Sequence, residues 1–130
     1  MGDMTKNLAI IDDDPDMEDV YTLLLGPLIE TGKVKVDFFT QPEIFLESFG
    51  LLSPHHIFCD IHMPGIDGVE LCRRLRLDGH NVPITFVSGH APQDYVDVMS
   101  ELGIRHFLSK PLCPDRMQGC LEEAIAPSLS

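Results

Sequence analysis

The stretch "IFCDIHMPGIDG", residues 57–68, sets an aspartate at the end of an apolar run and follows it at once with a Met-Pro-Gly turn. A carboxylate is costly to bury unless it is paired or hydrogen-bonded. Asp60 is therefore either a cap for the helix that follows or a group that does chemistry.

The same punctuation recurs on both sides of this stretch. "LAII" (8–11) is an apolar run closed by Asp12-Asp13-Asp14-Pro15. Met17, Val20, Tyr21, Leu24, Leu25 and Leu28 then follow the spacing of one apolar helix face. Asp14 before Pro15 predicts the helix start, and Gly26-Pro27 predicts a kink or an early end. "VKVDFF" (34–39) is rich in β-formers, and Thr40-Gln41-Pro42-Glu43 has capping-box spacing ahead of a helix through Ile44, Phe45, Leu46 and Phe49. "HIFCD" (56–60) is the third strand, and Asp67 caps a third helix running from Gly68 to Leu77. "VPITFVS" (82–88), a helix over 92–102, "RHFLS" (105–109) and a helix over 114–125 complete the alternation.

Five strands separated by helices, with near-continuous apolar runs in the first, third and fourth, predict a parallel sheet covered on both faces. At 130 residues the chain is expected to form one domain around a single core. Its net charge of −12 argues against direct nucleic-acid binding and against an anionic membrane surface, and fits a bound cation or a basic partner. The apolar runs are too short for a membrane span, and residues 1–7 lack a secretory pattern. Cys59, Cys72, Cys113 and Cys120 form no C-x-x-C pair, so reduced thiols in a cytoplasmic protein are expected.

In open sheets of this kind the functional crevice lies beyond the carboxyl ends of the strands. The residues there are Asp12, Asp13 and Asp14, then Asp60, then Ser88-Gly89, then Lys110-Pro111. Carboxylates, a hydroxyl and an ammonium thus converge on one edge. Clustered carboxylates repel one another and oppose a further anion. A hard divalent cation relieves both, and Mg2+ suits a few carboxylates, waters and a phosphoryl oxygen. Three carboxylates, one Mg2+ and the Lys110 ammonium balance to a neutral site, ready for a dianionic group. Positioning and charge neutralisation are what phosphoryl transfer chiefly needs.

In "IIDDDP", "DIHMPGIDG", "ITFVSGH" and "FLSKPL", taken in order, the chain resembles a response-regulator receiver domain of two-component signal transduction. The resemblance covers residues 1–130 as one receiver domain with a core of about 6–126. It implies an α/β fold, a flavodoxin-like doubly wound (βα)5 three-layer sandwich with strand order 2-1-3-4-5. It implies that Asp60 accepts a phosphoryl group from a sensor histidine kinase or histidine phosphotransfer protein. Asp12, Asp13, Asp60 and the His62 backbone carbonyl would hold Mg2+ (or Mn2+), Asp12 mostly through water. Ser88 would be the switch hydroxyl, Lys110 the phosphate-contacting cation, Phe107 the aromatic switch, and the Lys110–Pro111 bond cis. Output would leave through helix 4, strand 5 and helix 5 to a downstream effector protein or domain. Such a protein promotes its own phosphorylation and dephosphorylation and is not an enzyme with a separate substrate. Serine stands at 88 where threonine is commoner in the family, and phenylalanine at 107 where tyrosine is frequent; the hydroxyl and the ring are each kept.

Other readings of the same residues are plainer. Asp14 and Asp67 serve as helix caps, and the six histidines lack zinc-ligand spacing. Asp12-x-Asp14-x-Asp16 starts like a calcium loop, but Met17 and Leu23 replace its glycine and closing glutamate. A haloacid-dehalogenase-like phosphohydrolase with Asp12 as nucleophile is the rival from another class; Asp16 stands where that family has threonine or valine, and Asp60 is left without a task. His62 and His90 each lie two residues past a strand end and are expected to flank the pocket mouth and tune the lifetime of a phosphoryl group, unless they are bystanders. If the 130 residues are the whole protein, output must run through a diffusible partner; a fragment of a larger regulator is the other context.

Overall fold

A computed structural model describes residues 5–124. The apolar runs become β1 (Lys6–Ile11), β2 (Val34–Phe39), β3 (His56–Asp60), β4 (Ile84–Ser88) and β5 (His106–Ser109). Between and after them lie α1 (Met17–Glu30), α2 (Pro42–Leu52), α3 (Gly68–Leu77), α4 (Val96–Leu102) and α5 (Pro114–Ala124). All neighbouring strands pair in parallel, in the order β2-β1-β3-β4-β5. The fold is the flavodoxin-like doubly wound sandwich expected from the sequence. Its strand order reverses between β1 and β3, the place where such sheets open a crevice.

Side-chain alternation along each strand divides the core between two faces. Ala9, Ile11, Ile57, Cys59 and Phe86 pack with Phe45, Leu71, Leu75 and Leu102, so α2, α3 and α4 cover one face. Leu8, Ile10, Phe58, Val87 and Leu108 pack with Tyr21, Leu25, Met117 and Leu121, so α1 and α5 cover the other. β3 and β4 are buried along their whole length. Among the described residues, no helix is long and apolar enough to cross a membrane.

Local departures from expectation have physical causes. α1 starts at Met17, after Asp16; Asp14 acts one turn earlier, its Oδ1 accepting from Asp16 N at 3.0 Å. Pro27 does not end α1, which continues to Glu30. Pro27 removes one backbone donor on the exposed side, while Leu25, Leu28 and Ile29 keep packing against the sheet. The capping box at Thr40 does not form: Gln41 flanks α2 without a side-chain cap, and Pro42 opens its first turn. The segment expected as one helix over 92–102 begins as a 3-10 turn, Pro92–Tyr95, and becomes α-helical only at Val96. Tyr95, at φ −119° and ψ 5°, interrupts the helical backbone between the two. The last residue of the expected fifth helix, 125, and the expected core limit at 126 lie outside the described residues.

Candidate functional site

Four of the five strands, β1, β3, β4 and β5, bring a polar residue at or just past their carboxyl ends to one edge of the sheet. β1 extends its pairing by one bond, Asp12 N to the Phe39 carbonyl at 2.9 Å, which fixes Asp12 at the strand tip. Asp12 Oδ1 then accepts from Asp14 N at 3.0 Å, turning the chain toward α1. Asp60 closes β3 in register with Val87, and Ile61 N donates to the Val87 carbonyl at 3.1 Å. Lys110 N donates to the Ser88 carbonyl at 2.9 Å, so β4 and β5 deliver Ser88 and Lys110 side by side.

The loop after Asp60 is held as tightly as the strand. Met63 is buried, Gly65 takes φ +77°, and Gly68 N donates to the Ile61 carbonyl at 2.9 Å. Asp67 Oδ1 accepts from Glu70 N at 2.8 Å, capping α3 as its sequence position predicts. At Gly68 a Cβ would lie 2.5 Å from the Asp60 carbonyl oxygen and 2.9 Å from Ile61 Cα. Only glycine lets the start of α3 press this closely on the backbone of Asp60. The sequence gives Gly68 no part beyond following a cap.

Asp12, Asp13 and Asp60 each offer a carboxylate oxygen within 4.8 Å of the other two. Asp12 and Asp60 are buried, and Asp13 is exposed at the mouth. Lys110 Nζ lies 3.1 Å from Asp12 Oδ2 and 3.4 Å from Asp60 Oδ2, bridging the two buried acids. The contact with Asp12 Oδ2 is an ion pair without hydrogen-bond alignment, which leaves that buried oxygen able to accept further. Asp14 stands outside this group; its carboxylate accepts from Asp16 N in the turn that precedes α1.

Burial, and then the neighbouring Asp12 charge, push the Asp60 carboxyl above the usual carboxylate range; Lys110 and the His62 N–H pull against them without prevailing. Burial disfavours the Lys110 ammonium, but its contacts with Asp12 and Asp60 outweigh burial and hold it above the usual lysine value. The site thus carries more anion than its one cation neutralises. The donor set is all hard oxygen, which fits Mg2+ or Mn2+ and does not fit the nitrogen and sulfur ligands that zinc favours.

Ser88 is fully buried and lies at the expected strand end, but its Oγ accepts from His90 N at 2.9 Å, within its own turn. Phe107 is half-buried on β5 and stacks with Tyr95, ring centroids 5.8 Å apart. His62 and His90 meet beside the site with ring centroids 4.2 Å apart, and His62 N lies 3.4 Å from Asp60 Oδ1. Tyr95, which no sequence motif marks, shares a 2.5 Å hydrogen bond through its hydroxyl with His62 Nε2. Nothing in the sequence joins those two residues. The Lys110–Pro111 peptide is cis, as the resemblance implies.

Comparison with known proteins converges on one family. Residues 8–122 match the family model described as the response regulator receiver domain. The transcriptional regulatory protein FixJ of Bradyrhizobium diazoefficiens is 32% identical over 119 residues, 92% of this chain and 56% of that protein. The response regulator protein TmoT of Ectopseudomonas mendocina is 26% identical over 96% of this chain and 55% of its own. The chain therefore spans about half the length of these relatives. Among solved structures, the N-terminal domain of a Wolinella succinogenes protein superposes with a TM-score of 0.80 at 28% identity, covering 95% of this chain and 97% of that one. The Vibrio cholerae chemotaxis protein CheY4 shares the fold, with a TM-score of 0.81 at 16% identity over 92% of this chain and 98% of its own. With the family model covering nearly the whole described chain, the protein belongs to the response regulator receiver domain family of two-component signalling.

Proposed function

We propose that this chain accepts a phosphoryl group on Asp60 from a sensor histidine kinase or a histidine phosphotransfer protein, and passes the signal on by a change of packing at α4, β5 and α5. The observation that carries this reading is the Lys110 ammonium bridging Asp12 and Asp60 within a set of three convergent carboxylates. In the transfer, an Asp60 carboxylate oxygen attacks phosphorus, a P–O bond forms, the P–N bond to the donor imidazole breaks, and its electron pair leaves with the imidazole nitrogen. Asp60 must be ionised to attack, and the ammonium beside it favours that form against the effects of burial and Asp12. Lys110, reaching both acids from β5, is placed to take up oxygens of the arriving group. Asp12, Asp13, Asp60 and the His62 carbonyl would hold Mg2+, whose chemical contribution when bound is to neutralise the anionic site and the phosphoryl oxygens.

Ser88 and Phe107 form the proposed switch. The Ser88 hydroxyl, now engaged by His90 N, would turn its proton to the phosphoryl oxygen, and the Phe107 ring would move toward the space it leaves. The recipient is an effector reading the α4-β5-α5 face, either on the same polypeptide or on a separate protein in the cytoplasm. With a net charge of −12 the chain itself is not proposed to contact nucleic acid. The hydrolase reading, with Asp12 as nucleophile, finds no support in the family match.

Intact mass after incubation with acetyl phosphate tests the reading. One phosphoryl group is expected on the wild type with Mg2+, none after chelation and none on Asp60→Asn. Labelling that survives in Asp60→Asn and vanishes in Asp12→Asn would instead install Asp12 as the nucleophile.

A further inference from the structure

Tyr95 ends the 3-10 turn that precedes α4 and reaches in two directions. Its hydroxyl shares a 2.5 Å hydrogen bond with His62 Nε2, across 33 residues of sequence. Its ring stacks on Phe107, at 5.8 Å and an interplanar angle of 24°. His62 is two residues past Asp60, and its own N–H lies 3.4 Å from Asp60 Oδ1. A continuous set of contacts thus runs from the acidic site to Phe107 through Tyr95, without using the Ser88 side chain.

We propose that Tyr95 is a positioning residue: its bond to His62 ties the loop after β3 to the start of α4 and holds the Tyr95 ring over Phe107 in the unphosphorylated packing. The proposal rests on the reading of Phe107 as the moving ring. While Tyr95 is tethered to His62 it is not free to follow Phe107, so an inward move of Phe107 forfeits the stacked contact or breaks the tether. Either cost weighs against the switched packing and none weighs against the present one. That asymmetry is what a bias on a two-state equilibrium requires.

The segment that carries Tyr95 suits such a role. A four-residue 3-10 turn has poorer hydrogen-bond geometry than an α-helix and is easily remodelled. Tyr95 is half-buried while its neighbours Asp94 and Val96 are exposed, so its side-chain contacts dock the turn on the body of the protein. The bond to His62 is open to water, and its removal is expected to shift the equilibrium severalfold rather than by orders of magnitude.

Tyr95→Phe keeps the ring and deletes the hydroxyl. In the protein without metal or donor, amide hydrogen exchange over residues 91–102 is expected to rise about threefold or more, with β1 and β3 unchanged. With Mg2+ present, the variant is expected to bind beryllofluoride, a phosphoryl mimic, about threefold or more tightly than the wild type. A side chain that merely supports the fold would weaken that binding on truncation, so the sign separates the two roles. His62→Phe should reproduce both effects, and the double variant should add nothing beyond either single change, because one bond is lost in all three. Unchanged exchange, unchanged or weaker beryllofluoride binding, or additive effects of the two substitutions would overturn the proposal. A wild type that fails to bind beryllofluoride would refute the phosphoacceptor reading instead, and the exchange comparison would still decide the tether.

Discussion

His56 Nε2 lies 2.7 Å from Thr85 Oγ1 in the interior of the sheet, and neither residue has any exposed surface. Thr85 in turn stands 3.2 Å from Cys120 Sγ, so one polar chain crosses from β3 through β4 to α5. His56 Nδ1 is buried and has no hydrogen-bond partner among the described residues. Burial, and secondarily His106, lower the His56 pKa from 6.5 to about 4. The folded state therefore holds this ring neutral at pH values where the unfolded chain protonates it.

The sign of the consequence is fixed. A folded pKa below the unfolded one gives a contribution that is complete above pH 6.5, declines as pH falls below that value, and is gone below about 4. The shift corresponds to about 3 kcal/mol between those limits. Urea unfolding at pH 7.5 and pH 4.5 is expected to show a loss in the wild type that His56→Leu largely removes. An equal loss in the variant would place the acid sensitivity elsewhere.

Gly68→Ala is expected to destabilise the fold by about 1–3 kcal/mol. The added Cβ would lie 2.5 Å from the Asp60 carbonyl oxygen and 2.9 Å from Ile61 Cα. Both are backbone atoms, so no flexible side chain is available to yield. The neighbouring Gly65→Ala meets open space apart from Glu43 Oε2 at 3.5 Å, and its cost is the positive φ of 77° alone. Comparison of the two urea midpoints, with backbone amide shifts at Asp60 and Ile61, checks the distinction: the Asp60 and Ile61 amides should move more in Gly68→Ala.

The edge of the sheet was legible because β1, β3, β4 and β5 are short strands with a polar residue at or just past their carboxyl ends, and Asp12, Asp60, Ser88 and Lys110 are those residues. The crevice rule then places them together without any distance being known. Asp67 was legible as a cap because capping is a local interaction, complete within three residues. Of the kink or early end that Pro27 predicts, the early end does not occur, because proline reports the loss of one local bond while the packing of Tyr21 and Leu25 that sustains α1 depends on the sheet. Pro92 fixes a first turn but leaves open whether the next is 3-10 or α-helical. His56 and Tyr95 were beyond reach for the same reason: their partners, Thr85 and His62, lie 29 and 33 residues away. Pairing register and the β4–α4 path bring them together.

Lys110→Met removes the cation that bridges Asp12 and Asp60. The three carboxylates then lose their counter-charge, so Mg2+ affinity by calorimetry is expected to increase severalfold. The Asp60 carboxyl, already raised by burial and Asp12, should rise further without the ammonium that opposes them. Phosphorylation by acetyl phosphate is expected to slow by at least about tenfold, because the group that favours the ionised acceptor and takes up phosphoryl oxygens is gone. Tighter metal binding with slower labelling would mark Lys110 as acting on the phosphoryl group; unchanged metal affinity would show that its charge is not felt at the acids.

His62 and His90 are expected to set how long a phosphoryl group survives on Asp60. Their rings stand 4.2 Å apart beside the site, on the loops that leave β3 and β4. Both residues are exposed, so water reaches the rings beside the acceptor. An imidazole nitrogen at that position is able to orient or deprotonate the attacking water. His62 Nε2 is engaged by Tyr95, whereas neither ring nitrogen of the exposed His90 has a hydrogen-bond partner among the described residues. His90→Ala should therefore lengthen the phosphoryl half-life by about twofold or more, and His62→Ala by less. Decay of the phosphorylated mass after removal of the donor, in the presence of Mg2+ and at one fixed pH, measures both. Equal half-lives for the wild type and His90→Ala would make the pair a packing contact with no hand in dephosphorylation. The reverse order, with His62 the larger effect, would point to release of the Tyr95 tether rather than loss of a water-orienting nitrogen.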